Sequence, residues 1–379
     1  MSDSPDIKIL QVGYSSDIGG TEIYLINQFR CLDHALLRYD FVSCSDMRPL
    51  AFEDELTAAQ SVIYRLPQRR LHPVRHYWGW LVLMAKFGRS YDAVVMNANS
   101  YAYGIPIFFA WVFGIKCRIY HAHSIGPFTE RGLLGRIEDA VQKILIRFAT
   151  THYLACSEIA GRGMFGENAQ VKIVRNGLCL SDYRFSAETR AAKRAELGLD
   201  GHLVLGMIGN FMPVKNHAFA VDVFRELKKL EESAKLVLIG DHLSSENDSC
   251  LNQVREKIAH YGLAEDVLFL GRRTDVPLLL QAMDDLVMPS VSEGFGIVAV
   301  EAQATGLPCF LSDRLPEDVK VSEAVRFLSI NRDPKIWARA IAESAGVTRE
   351  TTGNDIRLSR FDVRSITQEM MDFYREVCT

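Results

Sequence analysis

Ten short apolar runs, each closed by a small or polar residue and followed by an amphipathic stretch, constrain the fold of this chain more than any other feature. Five come first: Ile7-Lys8-Ile9-Leu10-Gln11-Val12, Ala93-Val94-Val95-Met96, Cys117-Arg118-Ile119-Tyr120, His152-Tyr153-Leu154-Ala155 and Val171-Lys172-Ile173-Val174. Five follow: Leu203 to Ile208, Lys235 to Ile239, Val267 to Leu270, Leu286 to Met288 and Pro308 to Leu311. Runs of this length read as buried parallel strands joined by crossover helices. The expectation is an α/β chain built twice over, as two doubly wound, Rossmann-like domains. A length of 379 residues agrees, at ~100–200 residues per domain. The polar, Arg- and Glu-rich stretch Leu178 to Asp200 has no strand character and is expected to connect the two. The domains are placed at 1–180 and 181–360, with a separate terminal helix in 361–379.

Composition excludes several classes. Apolar residues make up 48% and charged ones 24% of the chain, which suits a globular core and rules out disorder and fibres. Net charge is −4, too near balance for an electrostatic nucleic-acid binder. The start, Met1-Ser2-Asp3-Ser4-Pro5-Asp6, is acidic and polar where a secretory signal needs a basic and then an apolar region. The longest apolar stretch, Ile105 to Ile115, has 11 residues and contains Pro106 and Gly114; a bilayer span needs ~20. Eight cysteines are scattered without a Cys-x-x-Cys pair, against a disulfide framework or a zinc site. A cytoplasmic protein is expected.

Ligands of open α/β sheets sit beyond the carboxyl ends of strands, so the residues just after each run carry the information. After the first strand comes Gly13 to Glu22, followed by a helix expected from about Ile23. The segment is neither Gly-x-Gly-x-x-Gly nor a P-loop. Gly19-Gly20 permits close backbone approach to a ligand at a helix N-terminus, or is a flexible turn. After the strand Cys117 to Tyr120, His121 and His123 are spaced to share a face. They are structural or line a cleft; a metal would need a third ligand that the local sequence does not offer. Lys215 lies in the loop after Leu203 to Ile208 and can reach a diphosphate held nearby. After Leu286 to Met288, Ser292-Glu293-Gly294-Phe295-Gly296-Ile297 opens a helix running towards Ala304. Gly294 and Gly296 let backbone amides approach a phosphate at that helix start. Glu301, expected about two turns into the helix, can accept from ribose hydroxyls, and Glu293 can bind those of an attached sugar.

Taken together these residues resemble the retaining glycosyltransferases of family 4, which have the GT-B fold of two Rossmann-like domains facing a central cleft. Glu293 to Glu301 has that family's Glu-x7-Glu spacing, and Gly19-Gly20-Thr21-Glu22, His121-Ala122-His123-Ser124, Asn176-Gly177, Lys215-Asn216-His217, Gly240-Asp241 and Glu301 to Pro308 look like its landmarks in its order. The closest likeness is to the capsular and exopolysaccharide branch. The resemblance implies a retaining, metal-independent hexosyltransferase using a UDP-sugar, with no cofactor, acting on a saccharide or lipid-linked saccharide in surface polysaccharide synthesis. It assigns the donor diphosphate to Lys215 and the amides of Gly294, Phe295, Gly296 and Ile297, the ribose to Glu301, the sugar hydroxyls to Glu293 and a phosphate contact to Gly19-Gly20. A cleft histidine is implied at His121 or His123, with His123 the first choice, and the helix of Phe361 to Cys378 is expected to cross back onto the first domain.

One departure stands out: the family's Gly-Arg-Phe is Gly209-Asn210-Phe211 here, which removes a cation from the diphosphate site. It motivates a non-catalytic, nucleotide-sugar-binding alternative; a sugar-nucleotide epimerase on the same fold is another. A nicotinamide dehydrogenase is disfavoured by the missing glycine fingerprint. Finally, Arg69 to Trp80 mixes basic and aromatic residues ahead of an apolar helix, and is read either as a basic helix start or as a peripheral contact with an anionic membrane at its inner face.

Overall fold

The computed structural model describes residues 7–44, 48–126, 132–241, 245–344, 346, 349 and 356–378. The chain divides into two compact units, Met1–Leu178 with Phe361–Thr379, and Cys179–Arg360.

The first unit holds a parallel seven-stranded sheet in the order β3-β2-β1-β4-β5-β6-β7. Its strands are β1 Ile7–Val12, β2 Leu37–Ser43, β3 Ile63–Arg65, β4 Ala93–Ala98, β5 Cys117–Ala122, β6 His152–Ala155 and β7 Val171–Ile173. The second unit holds a parallel six-stranded sheet in the order β10-β9-β8-β11-β12-β13. These are β8 Val204–Ile208, β9 Lys235–Ile239, β10 Val267–Gly271, β11 Asp285–Met288, β12 Cys309–Ser312 and β13 Val325–Leu328. Both units are doubly wound, and strand order reverses between β1 and β4 and again between β8 and β11. Ligands of such sheets bind at these switch points. The loops after β1, β8 and β11 are three of those singled out from the sequence.

Three strands were not expected. β2 reads Leu-Arg-Tyr-Asp-Phe-Val-Ser, and Arg38 and Asp40 break its apolar run. Asp40 is nevertheless buried, because its carboxylate accepts from Arg38 Nε at 2.9 Å, the Val62 amide at 2.7 Å and Tyr91 Oη at 2.8 Å. β3 is three residues long, and β13 carries the exposed Arg326; both are edge strands. The expected connection Leu178 to Asp200 is also revised. It contains a 3-10 turn, Leu180–Tyr183, and a helix, Ala187–Leu197, capped by Ser186 Oγ accepting from the Thr189 amide. That helix belongs to the second unit, where Arg190 and Arg194 pair with Asp284. The first helix begins at Gly20, earlier than Ile23, because Gly19 in an extended conformation serves as its N-cap.

The core of the first unit gathers Ile9, Tyr39, Phe41 and Ile119, and the helix Val363–Cys378 adds Ile366, Met370, Met371 and Tyr374 from one face. This i, i+4, i+8 apolar spacing is what a helix needs to bury one stripe. In the second unit Val221, Phe224, Leu236, Leu238, Phe310 and Trp337 form a separate core. Among the described residues, no helix is long and apolar enough to cross a membrane.

Candidate functional site

In the second unit, the loops after β8, β9 and β11 are bonded to one another. A Cβ on Gly240 would lie 2.0 Å from the Gly209 carbonyl oxygen, so only glycine allows this approach. Asn210 Oδ1 accepts from the Asp241 amide at 3.1 Å, and the Phe211 amide donates to Asp241 O at 3.0 Å. His217 stacks on Phe211, with ring centroids 4.3 Å apart, and its Nε2 lies 3.2 Å from Gly209 O. Burial brings its pKa down to about 3; the ring is therefore neutral and carries its proton on the nitrogen that faces the carbonyl.

Lys215 ends the 3-10 turn Pro213–Lys215, and Asn216 follows in the left-handed conformation. Asn216 Nδ2 donates to Pro289 O at 3.2 Å, and the Val291 amide to Val214 O at 2.8 Å, which ties this loop to the one after β11. The result brings two sequence-identified residues together: Lys215 Nζ lies 2.7 Å from Glu293 Oε1. Ser290 Oγ donates to the same oxygen at 2.7 Å. Gly296, at φ +89°, is the N-cap of the helix Ile297–Ala304 and is inaccessible to most L side chains. Phe295 is buried and anchors this loop.

Glu301 lies one turn into that helix, not two. It is buried, and Tyr183 Oη donates to its Oε1 at 2.9 Å. Burial raises its pKa to about 7, opposed in part by the tyrosine bond. Two residues further on, Gln303 donates to Ala299 O and Val319 O and accepts from the amides of Val321 and Ser322. The helix is thereby locked against the loop before β13.

In the first unit, Gly19 and Gly20 are the N-cap and first residue of the helix Gly20–Cys31. Buried Glu22 folds back towards them and accepts from Ser15 Oγ at 2.7 Å, with its pKa raised by burial. His121 ends up inside β5 and fully buried, whereas His123, just past the strand, is half-buried. Their ring centroids are 4.1 Å apart, and both rings face Tyr24 at about 5 Å. His123 Nε2 lies 3.2 Å from Asn97 Oδ1, while Asn97 Nδ2 donates to Gln11 Oε1 and Val12 O. Desolvation pushes both imidazoles down, His123 to about 3, so both are neutral. His123 then donates through Nε2, and its buried Nδ1 is an acceptor with no partner; His121 Nε2 is likewise unpartnered. Among the described residues, no group of three or more His, Cys, Asp or Glu could hold a metal ion.

Sequence reasoning missed Tyr183, Asn97, Ser290 and His217 as supports of these side chains. Only Ser290 and His217 lie near a motif; Tyr183 is 118 residues from Glu301, and no local pattern marks it.

Residues 189–344 match the model of the family described as Glycosyl transferases group 1. The chain is 29% identical over 349 residues to the putative glycosyltransferase EpsF of Bacillus subtilis, covering 90% of this chain and 88% of that protein. It is 28% identical over 210 residues to the UDP-Gal:alpha-D-GlcNAc-diphosphoundecaprenol alpha-1,3-galactosyltransferase of Escherichia coli, about half of each chain (53% and 52%). The crystal structure of Anabaena HepE in complex with UDP-glucose superimposes with a TM-score of 0.81 at 21% identity, covering 98% of this chain and all of that one. Residues 189–344 are thus similar to the glycosyl transferases group 1 family, within a chain whose two Rossmann-like units have the GT-B fold.

Proposed function

We propose that this chain is a retaining glycosyltransferase that transfers a sugar from a UDP-sugar to a saccharide or lipid-linked saccharide in the synthesis of a surface polysaccharide. The observation that carries this reading is the Lys215–Glu293 pair beside the glycine-rich start of the helix Ile297–Ala304, at the switch point of the second sheet. A lysine and helix-start amides suit a diphosphate on which negative charge builds as the sugar leaves. Glu293 suits the sugar hydroxyls and Glu301 the ribose. No divalent ion is called upon, since the cationic and amide donors supply the stabilisation. UDP-glucose in Anabaena HepE and the diphosphoundecaprenol-linked acceptor named for the Escherichia coli relative support the donor and acceptor classes.

The test is a panel of UDP-sugars incubated with and without saccharide acceptors, with UDP release measured in excess chelator and the product anomer read by NMR. Acceptor-dependent UDP release with retained anomeric configuration is expected, falling at least about tenfold in Lys215→Ala, which removes a charge-assisted contact. Conversion of the donor sugar without acceptor would replace this reading with an epimerase. UDP binding without turnover would replace it with a binding protein.

A further inference from the structure

The helix Leu133–Ala149 of the first unit turns its apolar face outward. Leu134 is 83%, Ile144 66% and Phe148 60% exposed, and Leu133, Ile137 and Val141 are exposed beside them. At 100° per residue these side chains fall in one stripe, about 25 Å long for a 17-residue helix. Arg136, Lys143 and Arg147, all exposed, line one edge of the stripe. A single exposed leucine is unremarkable, but a continuous stripe of this length marks an interaction surface.

Neighbouring helices extend it. Trp111, exposed at the end of the helix Gly104–Val112, packs its ring 4.8 Å from Phe148. Near the other end, Arg69 pairs with Glu138 at 2.7 Å, and Gln142 Nε2 donates to Tyr77 Oη at 3.3 Å. These bonds join the helix Pro73–Phe87, whose Val74 and Trp78 are 81% and 65% exposed and one turn apart. Within Arg69 to Trp80, therefore, the exposed apolar residues are Leu71, Val74 and Trp78, while His76 and Trp80 are core and Arg69 is paired. The main apolar surface lies on the helix Leu133–Ala149, which the sequence reading did not single out.

Charge identifies the occupant. Arg136, Lys143 and Arg147 on the stripe helix and Arg70 and Arg75 at the start of the neighbouring one are exposed, against Glu138, which Arg69 neutralises, and Asp139, in a chain whose net charge is −4. A second copy presenting the same basic edge would be repelled, and a neutral apolar partner would leave that edge unmatched. An apolar stripe bordered by cations and flanked by exposed tryptophans matches the boundary between headgroups and acyl chains of an anionic bilayer. We propose that the first unit docks on anionic membrane through this face, with the helix Leu133–Ala149 lying in the plane of the interface. This goes beyond the proposed transfer reaction and does not depend on it.

The test is flotation of the full chain with phosphatidylcholine vesicles and with vesicles containing phosphatidylglycerol. Wild type is expected to float with the anionic vesicles only, and less so as salt rises. Changing Leu134, Ile137 and Ile144 together to Ser should lower the bound fraction at least about tenfold, since each apolar insertion is lost. Neutralising Arg136, Lys143 and Arg147 to Gln should weaken binding on the order of a hundredfold at low salt, at about fivefold per charge. Leu230→Ser, which alters an exposed apolar residue of the second unit, should bind as wild type does. Tryptophan emission supplies a readout that needs no variant. Trp78 and Trp111 are exposed while Trp80 and Trp337 are buried, so a blue shift on adding anionic vesicles, diminished in Trp78→Phe and Trp111→Phe, is expected. Equal flotation of the wild type and both triple variants would overturn the proposal. So would absence of binding to anionic vesicles, or a stripe variant whose only change is loss of self-association.

Discussion

At the scale of single residues, Glu301 is the most informative, because burial and not a partner charge sets its state. A carboxyl whose pKa rises from 4.5 to about 7 on folding binds more protons in the native than in the unfolded chain over that interval. Its neutral form thus favours the fold below pH 4.5, and this contribution is lost as pH rises through about 7. Glu301→Gln preserves the shape and still accepts from Tyr183 Oη, so the variant should gain stability relative to wild type between pH 5 and pH 8, by on the order of 2–3 kcal/mol. Denaturant titrations at the two pH values check it; an equal difference at both would mean that Glu301 is charged throughout. Asn210 gives a second prediction at this scale. Its Oδ1 holds the Asp241 amide, a role arginine cannot fill because guanidinium has no acceptor. Asn210→Arg should then cost about 1 kcal/mol of stability whereas Asn210→Asp should cost less, since one hydrogen bond is worth about that much. Equal unfolding midpoints for the two variants would show that the Asn210–Asp241 bond is of no consequence. Asn210 is thus built into the loop pairing between β8 and β9.

Among the elements, the helix Ile297–Ala304 shows how a site is held in place from behind. Gln303 satisfies four backbone groups on that helix and on the loop around Val321 from a fully buried position. Gln303→Leu keeps the volume and removes every one of those bonds. Each buried backbone group left unpaired costs about 1–3 kcal/mol, so the variant should lose on the order of 3 kcal/mol or more and melt several degrees lower; calorimetry decides, and an unchanged melting temperature would mean that water replaces the amide. This anchoring was not legible in the sequence, although the helix start was. Glycine at a helix N-cap is local chemistry, so Gly296 announces itself, and Lys215 does so by standing in a strand-to-helix loop. Tyr183 cannot, since its role exists only once residue 301 lies beside it. The strands divide in the same way. Ile7–Val12 is visible as an apolar run, whereas Leu37–Ser43 is hidden by Arg38 and Asp40, and the burial of Asp40 depends on Val62 and Tyr91 from other elements. The helix Ala187–Leu197 reads as a polar connection because its contacts with the second unit are made by arginine, through Asp284 and backbone carbonyls.

For the whole molecule, the decisive property is that one unit is continuous in sequence and the other is not. Cys179–Arg360 contains all the strands of its sheet and its own core, while Met1–Leu178 completes its core only with the segment Phe361–Thr379. Ile366, Met370, Met371 and Tyr374 are all buried there, and Tyr374 sets its ring 6.3 Å from that of Tyr39. Fully burying a side chain of this size stabilises by ~1.5–3 kcal/mol, so the four together contribute roughly 6–12 kcal/mol, comparable to the ~5–15 kcal/mol that separates a folded domain from its unfolded chain. Two fragments should therefore behave differently. Residues 179–360 expressed alone should unfold cooperatively, and the buried Trp337 should report this as a red shift of its emission on melting. Residues 1–178 alone should show no cooperative transition in circular dichroism, and Trp80, buried in the complete unit, should emit as a solvated indole. Adding a peptide of residues 361–379 in trans should restore the transition, with a midpoint that rises with peptide concentration as mass action requires. A fragment 1–178 that melts cooperatively without the peptide would mean that the terminal helix is peripheral to the first unit, and that its four buried side chains contribute far less than their burial implies.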